Sequence, residues 1–157
     1  MNKDLLSIRD LTHDDYTGIM ETAATIKADI PAYYKLFEGR TAVLIFEKPS
    51  LRTRVTFEVA MEQFGGKSIH IAGNEISLGK RESVSDGAKN LTRWVDVIVM
   101  RTFGHHIIEE MAKNASIPVI NALTDLEHPC QALACFLTWC EHVGDLSGKR
   151  IVFVGDG

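Results

Sequence analysis

Thr41-Ala-Val-Leu-Ile-Phe-Glu-Lys-Pro-Ser-Leu-Arg-Thr-Arg-Val-Thr-Phe-Glu58 is the stretch on which the reading of this chain turns. Thr41 to Phe46 is uncharged, largely apolar and rich in β-branched residues, which predicts a buried strand. Pro49 stops it, because proline has no N–H to give to a ladder. From Leu51 onward Phe57, Ala60, Met61 and Phe64 recur at helical spacing, and Gly65-Gly66 closes the run. Ser50 is therefore expected at the N-cap, with Leu51, Arg52 and Thr53 in a first turn whose amides have no helical acceptor.

Such a turn attracts anions. Free amides, the positive end of the helix dipole, two hydroxyls and two guanidinium groups meet within five residues. A phosphate has enough oxygens to engage several of these donors together, so it suits the site better than a carboxylate. An ordinary capped helix with Arg54 paired to Glu58 accounts for part of the pattern. It leaves Arg52 over, which has no acidic residue three or four positions away.

The rest of the chain repeats strand and helix. Ile8 to Lys27 is helical in pattern, with Thr12 at its cap and an apolar stripe of Ile19, Met20 and Ala23; Ile30-Pro31 breaks it. Ser68 to Ala72 alternates as a strand, with His70 toward a polar surface, and Asn74 to Glu82 is a polar loop. Ser83 caps a helix through Ala88, Leu91 and Trp94. Val95 to Met100 is a third strand with Arg101 at its carboxyl end, where open α/β sheets bind ligands. His105 and His106 open the next helix, Ile107 to Ala115, on its solvent side. Ile117 to Asn121 is a fourth strand, and Pro118 suits an edge. His128-Pro129 then starts a helix that reaches about His142. The expectation is a doubly wound α/β domain: an open, mostly parallel sheet of four strands with helices on both faces.

Pro49-Ser-Leu-Arg-Thr-Arg54 resembles the Ser-x-Arg-Thr-Arg signature of the aspartate/ornithine carbamoyltransferase superfamily, and Phe46-Glu47-Lys48 resembles its ornithine branch. Ser77-Leu-Gly-Lys-Arg-Glu-Ser83, Asp96-Val-Ile-Val-Met-Arg101 and His128-Pro-Cys-Gln131 are similar to three further motifs, in the family's order. The resemblance implies transfer of the carbamoyl group of carbamoyl phosphate to the side-chain amine of ornithine, with no cofactor and no metal. It implies Arg101, His128 and Thr53 as catalytic groups. Carbamoyl phosphate would be held by Ser50, Leu51, Arg52, Thr53, Ser77, Arg101, His128, Pro129, Cys130 and Gln131. Ser77, with Lys80 at a position where the family varies, would enter a neighbouring subunit's site, which implies a homotrimer. Asp86-Gly87-Ala88 departs from the family's Asp-Thr-Ala, a matter of helix stability rather than chemistry.

Composition is compatible with this. At 157 residues, 45% hydrophobic and 24% charged, the chain suits one soluble domain. A net charge of −4 speaks against nucleic acid, though a few arginines in one cleft can still focus a positive field. No apolar run reaches the ~20 residues of a membrane span, and Met1 to Leu6 lacks a signal peptide's apolar core. Cytoplasmic residence is expected. Cys130, Cys135 and Cys140 step by five, about 500° of helical turn, so they form no metal face. Cys130 is expected to pack rather than attack.

Lys149-Arg-Ile-Val-Phe-Val-Gly-Asp-Gly157 reads as the first strand and turn of another unit. The expected division is residues 1–147 as a carbamoyl phosphate domain, with the helix 129–142 between domains. Residues 148–157 would then begin the acceptor domain, and without the rest of it this chain alone is expected to be inactive. Aspartate, putrescine or acylated ornithine stay open as acceptors, as does a non-catalytic anion-binding module. Gly155-Asp-Gly157 after a strand also suggests a nucleotide-binding oxidoreductase, a weak signal without the remaining motif.

Overall fold

Strand β1, Thr41–Phe46, is buried along all but its first residue and lies inside a parallel sheet. The computed structural model describes residues 3–76 and 82–155. Around β1 the chain forms α1 (His13–Ala28), α2 (Arg52–Gln63), β2 (Lys67–Ala72), a short α3 (Gly73–Ile76) and α4 (Val84–Leu91). It continues with β3 (Val97–Arg101), α5 (His105–Asn114), β4 (Val119–Leu123) and α6 (Pro129–Val143). The strand order is β2-β1-β3-β4, with every neighbour parallel. The chain thus runs outward from β1 to β2 and returns on the other side of β1. That reversal opens a crevice beyond the carboxyl ends of β1 and β3.

Alternation along the strands divides the core. Val43, Ile45, Ile98, Met100 and Val119 pack with Ala88 and Leu91 of α4 and Ile108 and Met111 of α5. Ala42, Leu44, Phe46, Val99 and Ala122 face the other way, onto Met61 and Phe57 of α2. The doubly wound, four-stranded architecture expected from the sequence is present.

Helix ends follow local chemistry. Thr12 and Asp15 form a reciprocal capping box, and Ser83 accepts from the Asp86 amide. Gly65 ends α2 at φ +79°, where a Cβ would lie 2.3 Å from the Tyr34 carbonyl oxygen. α1 buries none of its residues fully and touches α6 through the edge-on rings of Tyr16 and Phe136, 6.0 Å apart.

Some boundaries differ from expectation. The expected helix from Ile8 begins as one 3₁₀ turn, Ile8–Asp10, before Thr12 restarts the chain as α1. Residues 73–76 are a helical turn rather than loop, with the Glu75 carboxylate accepting from the Ala72 amide at 2.7 Å. α4 stops at Leu91 rather than reaching Trp94. Asp96 stays out of β3 because its carboxylate takes the Thr41 amide at 2.8 Å and Arg40 at 2.6 Å. β4 lies two residues later than expected. Leu5 pairs with Ile120 along its outer edge, and the Asp4 carboxylate accepts from the Val119 amide at 2.9 Å. That added segment covers an edge otherwise open to other chains. Ile151 to Val154 are exposed and unpaired among the described residues, so the strand expected from Lys149 is not formed. A lone strand has no ladder to stabilise it. Among the described residues no helix is long and apolar enough to cross a membrane.

Candidate active site

The crevice is built at three strand ends. The Glu47 amide donates to the Arg101 carbonyl at 2.9 Å, carrying the β1–β3 pairing one step past the strands. The buried Thr102 hydroxyl donates to the Glu47 carboxylate. Lys48 pairs with Asp125, beyond β4, and its ammonium sits 4.7 Å from the centre of the Phe103 ring. The three loops are therefore tied to one another before any ligand arrives.

Into this frame α2 presents its N-terminus. Leu51, not Ser50, is the cap residue, and no side chain bonds the first-turn amides. The expected serine cap is thus corrected. Leu51 already has helical angles, φ −85° and ψ −62°, which moves the helix start one residue past the hydroxyl. The uncapped amides leave the donors of the first turn, and the positive end of the dipole, open toward the crevice.

A cavity of about 530 Å³ lies there, between α2 and α6. Arg52 and Thr53 line it from α2, Arg101 from β3, and His128, Cys130 and Gln131 from the start of α6. Leu51 is exposed outside it, and Pro129 is buried in the first turn of α6. Ser50 lines a separate cavity of about 370 Å³ with Arg54 and His70. Ser77 and Lys80 lie outside the described residues.

The polar groups of the larger cavity are poised as donors. His128 caps α6, and its Nδ1 accepts from the Gln131 amide at 3.4 Å. A neutral imidazole that accepts at Nδ1 carries its proton on Nε2, and that nitrogen lies 3.4 Å from Thr53 Oγ1. Burial, and then the positive charge of Arg101, push His128 below its ordinary value of 6.5, so it is neutral at pH 7. Burial also lowers the Arg101 guanidinium, whose Nε is buried without a hydrogen-bond partner. Among the described residues neither Arg52 nor Arg101 has a carboxylate partner. Arg54 differs, lying 3.7 Å from Glu58 one turn on.

Cys130 is a packing group. Its thiol donates to the Asn121 carbonyl at 3.4 Å, and burial pushes it up to about 11, which keeps it protonated and a poor nucleophile. Gln131 is exposed, with Nε2 3.5 Å from Cys135 Sγ. His105 corrects an expectation: instead of facing solvent, its Nδ1 lies 2.9 Å from the hydroxyl of buried Thr124. Thr56, Phe57 and Leu123 also line the cavity, and sequence reasoning did not assign them to it. Thr56 was accessible from its spacing, one turn beyond Arg52 and Thr53; Leu123 was not.

The family model for the aspartate/ornithine carbamoyltransferase, carbamoyl-P binding domain, matches residues 3–141. The chain belongs to that family. It is 48% identical over 155 residues to an ornithine carbamoyltransferase of Shewanella oneidensis, a match covering 99% of this chain and 52% of the relative. An ornithine carbamoyltransferase of Bacillus subtilis is 46% identical over 155 residues, covering 99% of this chain and 48% of the relative. The solved ornithine carbamoyltransferase of Pyrococcus furiosus superposes with a TM-score of 0.88 at 43% identity, over 91% of this chain and 46% of that one. The chain thus spans about half the length of the carbamoyltransferases it matches.

Proposed function

We propose that this chain is the carbamoyl phosphate-binding half of an ornithine carbamoyltransferase, serving arginine biosynthesis or related amino-acid metabolism. The observation that carries the reading is the cavity in which uncapped helix amides, Arg52, Thr53, Arg101 and neutral His128 converge. Ornithine as acceptor is supported by relatives of that name at 48% and 46% identity.

In the reaction, the unprotonated amine attacks the carbamoyl carbon. A C–N bond forms, the carbonyl oxygen takes up charge, and the bond to phosphate oxygen then breaks. The amine loses a proton, and the phosphate leaves with the bonding electron pair. Thr53, Arg101 and the Nε2–H of His128 donate to the developing oxyanion, where one well-placed donor contributes ~3 kcal/mol. The phosphate rests on Arg52 and the first-turn amides from Leu51 to Thr53, with Ser77 as a further donor. Gln131 accepts from the carbamoyl NH₂, and Pro129 and Cys130 set the start of the helix that carries it. No step calls for a cofactor.

Residues 1–147 form this half, and residues 148–157 begin the acceptor half. The working enzyme is a cytoplasmic homotrimer whose Ser77 loop completes a neighbour's site. Three free thiols fit a reducing compartment. Calorimetry with each substrate separately tests the reading: carbamoyl phosphate binds weakly to this chain and ornithine does not bind detectably. Tight ornithine binding with no response to carbamoyl phosphate overturns it.

A further inference from the structure

Leu123, the last residue of β4, has φ +143°, a value that L side chains rarely adopt. It is the one non-glycine residue with positive φ among the described residues, and it lines the candidate cavity beside Arg101. Residues held in such a region store strain and persist where the surroundings over-determine them. Here the pairing of β3 with β4 slips: Met100 faces Asn121, but Arg101 faces Leu123, so Ala122 is extra. A bulge of this kind re-aims the side chains that follow it.

One fully buried polar side chain spans the slip. Asn121 Oδ1 accepts from the Leu123 amide at 2.9 Å, while its Nδ2 donates to the Leu6 carbonyl at 2.8 Å. The Leu123 carbonyl in turn accepts from the Thr102 amide at 3.0 Å. An apolar residue would serve an all-hydrophobic sheet face as well. The amide instead supplies an acceptor at the place where the bulge turns the Leu123 N–H.

The geometry points to Asn121 as a positioning residue that holds Leu123 at positive φ and, through the bulge, turns the Leu123 wall into the cavity beside Arg101. Without its acceptor, Leu123 relaxes into a regular strand, and a one-residue slip sends its side chain to the opposite face. Arg101 keeps the side that the alternation of β3 gives it, shared with Val97 and Val99, but loses the Leu123 wall beside it. The inference rests on the carbamoyl phosphate reading for its binding arm alone.

The test is a cycle of Asn121→Ala and Leu123→Gly, singly and together, read by carbamoyl phosphate calorimetry and by the NMR signal of the Arg101 Nε–H. Asn121→Ala is expected to weaken binding roughly tenfold, comparable to the strain such a residue stores, and to shift the Arg101 signal. In the glycine background, where positive φ carries no penalty, the same change leaves both readouts near those of Leu123→Gly. Asn121→Asp, which keeps the acceptor, retains the parent Arg101 signal. Equal losses in both backgrounds, or a lowered Tm with binding and Arg101 signal intact, overturn the proposal. If Asn121→Ala does not fold, the double variant decides: folding with the Arg101 signal of Leu123→Gly supports it, and failure to fold or a different Arg101 signal overturns it. If the parent chain binds no carbamoyl phosphate, the functional reading fails, while the Arg101 signal still decides this one.

Discussion

Thr53 Oγ1 and His128 Nε2 lie 3.4 Å apart, one on the first turn of α2 and the other on the cap of α6. The two helices follow β1 and β4, which are separated in the sheet by β3. Their side chains converge because both helices start at the same carboxyl edge, on the face that also receives Arg101.

The imidazole gives a pH signature. Burial and Arg101 lower the folded pKa of His128, so the unfolded chain takes up its proton at higher pH than the folded one. The unfolded state then holds more protons between the lowered value and 6.5, and stability rises with pH across that window. Melting temperature is expected to fall as pH drops below about 6.5, and less steeply in His128→Asn. Parallel profiles for the two proteins would refute the assignment.

Arg52 and Arg54 are two residues apart and are expected to behave differently. Arg52→Ala removes a charge-assisted contact and should cost carbamoyl phosphate binding about 10- to 100-fold. Arg54→Ala loses a half-exposed pair with Glu58, worth a few tenths of a kcal/mol and about 1 °C in Tm. Calorimetry and thermal melts of both variants separate the roles.

Alkylation at pH 8 should rank the cysteines. Burial holds the Cys130 thiol up at about 11, so its thiolate is scarce and iodoacetamide should modify it slowest of the three. Peptide mass spectrometry over a time course reads the order; early labelling of Cys130 would contradict it.

Gly65→Ala should destabilise by about 1–3 kcal/mol, because the residue sits at φ +79° with Tyr34 O 2.3 Å from the new Cβ. A urea midpoint unchanged from the parent would show that the Tyr34 turn yields without cost.

Much of this was legible in the sequence, and for local reasons. The buried run Thr41 to Phe46, the Thr12 and Ser83 caps and the Arg54–Glu58 pair all depend on residues within one or two turns. The misses depend on distant partners. β4 is set by Leu5 and Asp4, more than a hundred residues away, and periodicity cannot register that. The bulge at Leu123 needs the Asn121 amide, itself anchored on Leu6. His105 is turned inward by a hydroxyl 19 residues on. The cap on Leu51 was a shift of one residue, to a position that already has helical angles.

The central claim is that Arg52, Thr53, Arg101 and His128 serve one ligand. Titrating isotope-labelled chain with carbamoyl phosphate, and following the side-chain and amide NMR signals of these four residues, tests it most directly. The account expects all four to shift along a single saturation curve. Shifts confined to the Ser50–His70 cavity, or different curves for Arg52 and His128, would contradict it.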